Sequence, residues 1–358
     1  MSSVPTTEAP VHATDDALPR QIVDLHFHPR HGARFWLRRQ QRLGFDVRDR
    51  VRSMADLRLF GMIEPEDLRG TSVWDFVPRA FHRQRDRFVL VESGGSSGAP
   101  VPGAYLQSEF HDAFVTPFVE VADLVGFPRG AQWLYIGPSG PHVIGRAARE
   151  LALALDSPEP WQVDFDPRWA KKLAPGSLAA KRYLDHVVEQ AIAVFRREPC
   201  EVLFTTPRVV ERLIEVFTDT ERERLRGLHL GGLAMTADDV NRFRQAFPAA
   251  AHLAGYGNTL FGCALEVADQ QRTTLDYFPR GPRLQFDVMI PDGAEGKRGQ
   301  LVFHRLDESM LLVGVLERDW GELIPASPPA RELGWCGNGI RDPAPPPTRT
   351  AQLKLGIY

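Results

Sequence analysis

Covalent staples and redox pairs are nearly missing from this sequence. Its 358 residues include three cysteines, Cys200, Cys263 and Cys336, far apart and in no C-x-x-C pair. That excludes a disulfide framework and suits a reducing compartment. Lysine is scarce too: Lys171, Lys172, Lys181, Lys297 and Lys354 stand among 43 basic residues, and the others are arginines. A run of roughly 18 apolar residues, the length a membrane-spanning helix needs, is absent. No basic-then-apolar pattern opens the chain, so no secretory leader is expected. An excess of one charge is also absent. The 46 acidic and 43 basic side chains give a net charge of -3, with mean hydropathy -0.26. Such a balance argues against a general polyanion binder. A cytoplasmic protein with no nucleic-acid and no membrane partner is the expectation.

What is present suffices for an ordinary core. Hydrophobic residues make up 43 % of the chain, and the length suits one large or two modest domains. Residues 1–20 are polar and aperiodic and read as a flexible arm. Residues 21–90 read as an N-terminal cap with short helices over 33–42 and 53–60. Residues 91–250 alternate short apolar runs with helix patterns, as an α/β core with a mostly parallel sheet does. Phe88–Val91, Gln132–Ile136, Val202–Phe204 and Leu228–Leu230 are its strand candidates. Helices are expected from near Val143, over Ser177–Phe195, over 207–217 behind Thr206-Pro207, and over 237–247 behind a Thr236/Asp239 capping box. Residues 251–323 alternate in the manner of an antiparallel appendage, and 324–358 form a Pro-rich tail or a vestigial lid.

Three segments could carry chemistry. Glu92 to Pro100 contains Gly94, Gly95, Ser96, Ser97 and Gly98. Small residues let backbone N–H groups approach a phosphate, and serine hydroxyls add donors. The loop lacks the Gly-Lys-Ser/Thr ending of a P-loop and the G-x-G-x-x-G of a dinucleotide fold, so a plain surface loop is the competing reading. Gly255-Tyr256-Gly257-Asn258-Thr259 offers a ring for stacking and a hydroxyl for an anion, or else a Gly-rich bend with a packed tyrosine. Asp319, after an apolar run, can take both hydroxyls of a ribose or simply be a solvated strand end. A fourth signal is Asp24-Leu25-His26-Phe27-His28-Pro29. On a strand, the i and i+2 spacing sets both imidazoles on one face, as metal-dependent amidohydrolases begin. Cys263 is a remote candidate thiol, with a buried thiol as the commoner outcome.

In this order and spacing, these segments resemble the adenylate-forming superfamily. Within it they resemble the phenylacetate–CoA ligase and acyl-protein synthetase branch, and most nearly the adenylating proteins of phenazine antibiotic biosynthesis. The resemblance covers about His26 to Asp319. It implies the large N-terminal domain of the adenylate-forming fold, with the C-terminal lid truncated or absent. It also implies that ATP and Mg²⁺ activate a carboxylic acid, aromatic and of secondary metabolism. The acyl group then goes to an amino acid, CoA or a carrier protein. By resemblance, Gly94 to Gly98 and Gly232 cradle ATP, Tyr256 stacks on adenine with Gly257 and Asn258 beside it, and Asp319 holds the ribose. Thr259 contacts the α-phosphate as a catalytic residue. Ser139, His142, Gly231, Gly255 and Phe261 belong to the acyl pocket. Three departures accompany this. Val101 stands where the family's loop has lysine, and Leu260 where it has the Mg²⁺-holding glutamate, leaving Glu266 as a substitute. Beyond Asp319 the only lysine is Lys354, the stand-in for the lid lysine, while Gly337 to Asp342 echoes the hinge motif. A degenerate relative that binds nucleotide without turnover is therefore one alternative, and the amidohydrolase another. A homodimer is left open.

Overall fold

Side-chain alternation along one strand shows how the sheet divides its cores. In strand β3 (Gln132–Ile136), Leu134 and Ile136 join one apolar cluster while Trp133 and Tyr135 join the other. Period-2 alternation with both faces apolar is what a sheet covered by helices on two sides requires. The computed structural model describes residues 17–94, 98–267, 272–291 and 296–346.

Among the described residues, eleven strands pair in one sheet, beside a separate two-stranded ribbon. The ribbon is β1 (Phe88–Glu92) against β2 (Pro102–Leu106), antiparallel. The parallel half of the sheet runs β4 (Trp161–Val163), β3, β5 (Cys200–Thr205), β6 (Gly227–Leu230), β7 (Ala251–Asn258). Strand β7 then changes allegiance. Residues 251–254 pair parallel with β6, and 255–258 pair antiparallel with β8 (Gly262–Leu265). The antiparallel half continues through β9 (Asp276–Pro279), β13 (Gly339–Ala344), β12 (Leu311–Ile324), β11 (Arg298–Leu306) and β10 (Leu284–Met289).

Helices Leu178–Arg197, Pro207–Val216 and Ala237–Ala246 cover one face of the parallel half, and Thr116–Val125 and Val143–Ala154 the other. Local chemistry starts several of them. The Ser177 hydroxyl accepts from Ala180 N at 3.2 Å, and Thr236 and Asp239 exchange the two bonds of a capping box.

Three expectations need correction. First, part of the expected arm is helix Ala17–His26, and residues 1–16 lie outside the described chain. His26 and His28 therefore do not share a strand face. His26 is buried at a helix end with Nε2 2.9 Å from the Asp307 carbonyl, while His28 stacks on His31. The reason is visible in the burial of Ile22, Val23 and His26, which follows a helical period. Second, the short helix expected over 53–60 is a 3₁₀ helix over Met54–Phe60, with Ser53 outside it as the N-cap. Third, Gly337 to Asp342 is not a free hinge: residues 339–344 are strand β13, inside the sheet. No helix among the described residues is long and apolar enough to cross a membrane.

Candidate nucleotide and acyl site

A cavity of about 260 Å³ opens beyond the carboxyl ends of β5, β6 and β7, where the sheet turns from parallel to antiparallel. Open α/β sheets present ligand crevices at such ends. Gly231 and Gly232 follow β6 onto the cavity wall, and Gly232 takes φ +84, a conformation that favours glycine. At Gly257 a Cβ would lie 2.4 Å from the Gly262 carbonyl oxygen, so only glycine lets β7 and β8 close.

The segment after β7 is held from behind. Tyr105 Oη donates to the Thr259 carbonyl at 2.8 Å, Arg305 Nη1 to the Leu260 carbonyl at 2.9 Å, and Arg283 Nη1 to the Phe261 carbonyl at 3.0 Å. Asn258 Oδ1 accepts from Leu260 N at 2.8 Å and from Phe261 N at 3.1 Å. Buried Asp307 takes both arginines at 2.6 Å, and their charges hold its carboxyl below the usual range against the opposing effect of burial. Arg305 is fully buried, with its guanidinium 3.7 Å from the centre of the Tyr105 ring. The backbone of Thr259 to Phe261 is thus fixed before any ligand arrives.

An acidic edge and a cationic rim flank this segment. Glu317 lines the cavity, is held by Asn258 Nδ2, and accepts from Arg318 N at 3.0 Å. Burial raises the Glu317 carboxyl, and Asp319 adds repulsion. Burial likewise raises Asp319, with Arg318 and the Tyr256 hydroxyl, 3.2 Å away, opposing it. Arg69, Lys171 and Arg318 line the same cavity. Lys171 Nζ lies 3.4 Å from the Gly94 carbonyl oxygen. Desolvation, then Arg318 and Arg168, push the Lys171 ammonium down to about 8.

Of the residues singled out in the sequence, Gly94, Val101, His142, Gly231, Gly232, Gly255, Gly257, Asn258, Thr259, Leu260 and Cys263 share this cavity. Tyr256 and Asp319 sit beside it, joined to each other. Phe261 is not on the wall; it packs in the core against Phe286 and Phe303. Ser139 is also off the wall, its N–H donating to Asp164 at 2.8 Å. Gly98 faces Arg69, whose Nη1 would be 2.6 Å from a Cβ there. Glu266 lies away from the cavity, buried, with Oε1 2.6 Å from Arg272 Nε. Gly95, Ser96, Ser97 and Lys354 lie outside the described residues.

Arg69, Lys171, Glu317 and Arg318 also line the cavity and are not among the residues that the sequence singles out. Glu317 had a usable signal: it is two residues from Asp319 on one strand, so the two share a side. Lys171 and Arg69 had none, since they reach the cavity from segments far away in the chain. Among the described residues no group of three or more His, Cys, Asp and Glu side chains is placed to hold a metal ion.

No family model matches this sequence, and no curated protein does. Solved structures do. A 2-hydroxyisobutyryl-CoA ligase in its postadenylation state with R3-HIB-AMP aligns over 92 % of this chain and 66 % of its own, at 14 % identity and TM-score 0.67. The same ligase with 2-HIB-AMP and CoA in the thioesterification state aligns over 92 % and 66 %, at 14 % identity and TM-score 0.65. An open conformation aligns over 90 % and 71 %, at 15 % identity and TM-score 0.65. This chain therefore spans about two thirds of the length of that ligase. At such identity the likeness speaks for architecture. The chain shares the α/β fold of the matching part of that ligase, built on one large mixed sheet.

Proposed function

We propose that this chain activates a carboxylic acid with ATP, forming an acyl adenylate and pyrophosphate. One observation carries the reading. Segments from far apart in the sequence, at Gly94, Gly231-Gly232, Gly257 to Thr259 and Glu317-Arg318, converge on a single cavity with a cationic rim. In the reaction a carboxylate oxygen attacks the α-phosphorus in line, the bond to the bridging oxygen of pyrophosphate breaks, and pyrophosphate leaves. Charge gathers on phosphoryl oxygens, which fixed donors stabilise without reorganising. The Thr259 hydroxyl is the donor proposed for the α-phosphate. Arg69, Lys171 and Arg318 neutralise the remaining phosphates. Tyr256 stacks on the base, and Asp319 takes the ribose hydroxyls.

Mg²⁺ is usually held by one or two carboxylates together with phosphate oxygens. Glu317 fits that part, being a carboxylate on the cavity wall. Glu266 does not, because Arg272 occupies it away from the cavity. Bound beside Glu317, the ion would neutralise charge on the leaving pyrophosphate.

The acid we propose is aromatic. Phe114, Phe204 and His229 line the cavity, and Gly231, Gly255 and Gly257 leave space without side chains. Transfer to CoA, an amino acid or a carrier protein, and a role in secondary metabolism near the phenazine-type branch, rest on the sequence resemblance. A second reading, nucleotide binding without turnover, has Leu260 in its favour: the side chain at that position is apolar and buried.

Carboxylate-dependent exchange of labelled pyrophosphate into ATP, with Mg²⁺ and a panel of aryl and alkyl acids, tests both. Exchange with any acid supports activation. ATP binding by calorimetry without exchange moves the reading to a binder. Absence of both removes the nucleotide from the site.

A further inference from the structure

We propose that His229 is a specificity-determining residue, accepting a hydrogen bond from a hydroxyl group carried by the acid that enters the cavity. This rests on the carboxylate-activation reading and names the substrate class more narrowly.

The argument begins with a tautomer. His229 lies on β6, is 6 % exposed, and contributes to the cavity wall. Its Nδ1 is 2.9 Å from the Leu253 carbonyl oxygen. A carbonyl only accepts, so Nδ1 carries the hydrogen and Nε2 of the neutral ring carries a lone pair. Burial pushes the imidazole down to about 4, so the ring is neutral at pH 7. Nε2 has no hydrogen-bond partner among the described residues, yet it is not sealed in protein. The ring is clamped between Phe118, with centroids 4.8 Å apart, and Phe204, at 4.2 Å. It cannot turn its acceptor elsewhere without leaving the carbonyl of Leu253.

Among the described residues, no group donates to Nε2. Phe114, Phe204 and Leu265 are apolar, and the Cys263 thiol donates away from the cavity to the Ala113 carbonyl at 3.3 Å. A hydrocarbon acyl group would leave Nε2 dry and unpaired. A hydroxyl would satisfy it. An ammonium is disfavoured, because a charge among these rings would have no counter-charge close by. Sites built to pair a substrate hydroxyl reject the analogue that lacks it, since their own polar group is left unsatisfied.

The test uses matched acids on the full chain: 4-hydroxybenzoate against benzoate, and 3-hydroxybutyrate against butyrate. Binding is read by calorimetry in the presence of ADP, so turnover is not needed. For at least one pair, the hydroxy acid is expected to bind about tenfold tighter or more. His229→Phe is expected to abolish that preference by weakening the hydroxy acid, with the parent acid bound at least as well. In the unsubstituted protein, the ¹⁵N resonance of His229 Nε2 is expected to move when the hydroxy acid is added and to stay for the parent acid. That keeps the question answerable if the variant misfolds. Equal binding within both pairs, binding by neither member of either pair, or a preference that survives His229→Phe overturns the proposal. Exchange activity without hydroxyl preference sinks this inference and leaves carboxylate activation standing. A preference dependent on His229 in a protein with no exchange does the reverse.

Discussion

Arg305 and Leu260 are joined by a hydrogen bond of 2.9 Å, from the buried guanidinium to the backbone carbonyl. Leu260 occupies the position where the sequence resemblance expects a metal-holding carboxylate. Its side chain, 6 % exposed, lines the cavity as an apolar group, and its clamped backbone holds the shape of the loop behind Thr259.

Removing Arg305 should therefore damage folding before chemistry. Arg305→Met leaves Asp307 with Arg283 alone, takes the Arg305 donor from the Leu260 carbonyl, and leaves the Ala104 carbonyl with Ser309 in place of two side-chain donors. Breaking one side of a buried charge pair costs about 3–5 kcal/mol. Urea unfolding monitored by tryptophan fluorescence should show that loss.

Glu317 and Glu266 should separate cleanly. Glu317→Gln is expected to raise the Mg²⁺ concentration needed for ATP binding by about tenfold. Glu266→Gln is expected to leave that requirement unchanged, because Arg272 already engages its carboxylate. Magnesium titrations followed by calorimetry read both variants.

Asp319→Ala removes the acceptor of the Tyr256 hydroxyl and the proposed ribose contact. Hydrogen bonds to charged groups are worth about 1.5–3 kcal/mol. ATP affinity should fall by roughly ten- to a hundredfold, in a protein whose circular dichroism is unchanged. Unaltered affinity would remove Asp319 from the site.

Lys171 makes the site sensitive to alkaline pH. Its ammonium is pushed down to about 8, so the cation is present below that value and lost above it. Affinity for an anionic nucleotide should decline as pH rises through about 8. Lys171→Arg keeps its charge across this range and should flatten the profile.

Acid should weaken the fold through histidines buried as neutral rings. Burial pushes His26, His229 and His252 each down to about 4, from an ordinary value of 6.5. Between those values the unfolded chain binds more protons than the native one, so stability falls as pH falls. The slope is about 1.4 kcal/mol per pH unit for each ring that stays neutral in the fold. Urea midpoints at pH 7.0, 6.0 and 5.0 should decrease in that order, and His229→Phe should reduce the slope.

Much of the parallel half was legible because its signals are local. The capping box at Thr236 and Asp239, Ser177 before its helix, and the alternation around Trp133 need only a few neighbouring residues. The tail was harder. Strand β13 contains Pro343, which has no N–H to give a ladder. The structure accommodates it at a register shift opposite Trp320 to Glu322, a feature no composition rule reports. The strand expected around His26 is a helix end, since a short apolar run such as Ile22 to Phe27 fits strand and helix alike. The cavity divides in the same way. Its glycines and Thr259 lie in readable motifs, whereas Arg69 and Lys171 reach it only through tertiary folding.

The position of β13 also bears on how a ribosome-bound chain completes itself. Ile340 faces Tyr277 of β9 on one side and Leu323 of β12 on the other, and Arg341 grips Asp276 through two bonds of 2.7 Å. Until that late segment leaves the exit tunnel, β9 and β12 each present a row of unpaired backbone groups. Such rows attract other strands. The nascent protein must therefore hold two sticky seams apart, and a stalled or clipped chain ending before Gly339 would keep both exposed.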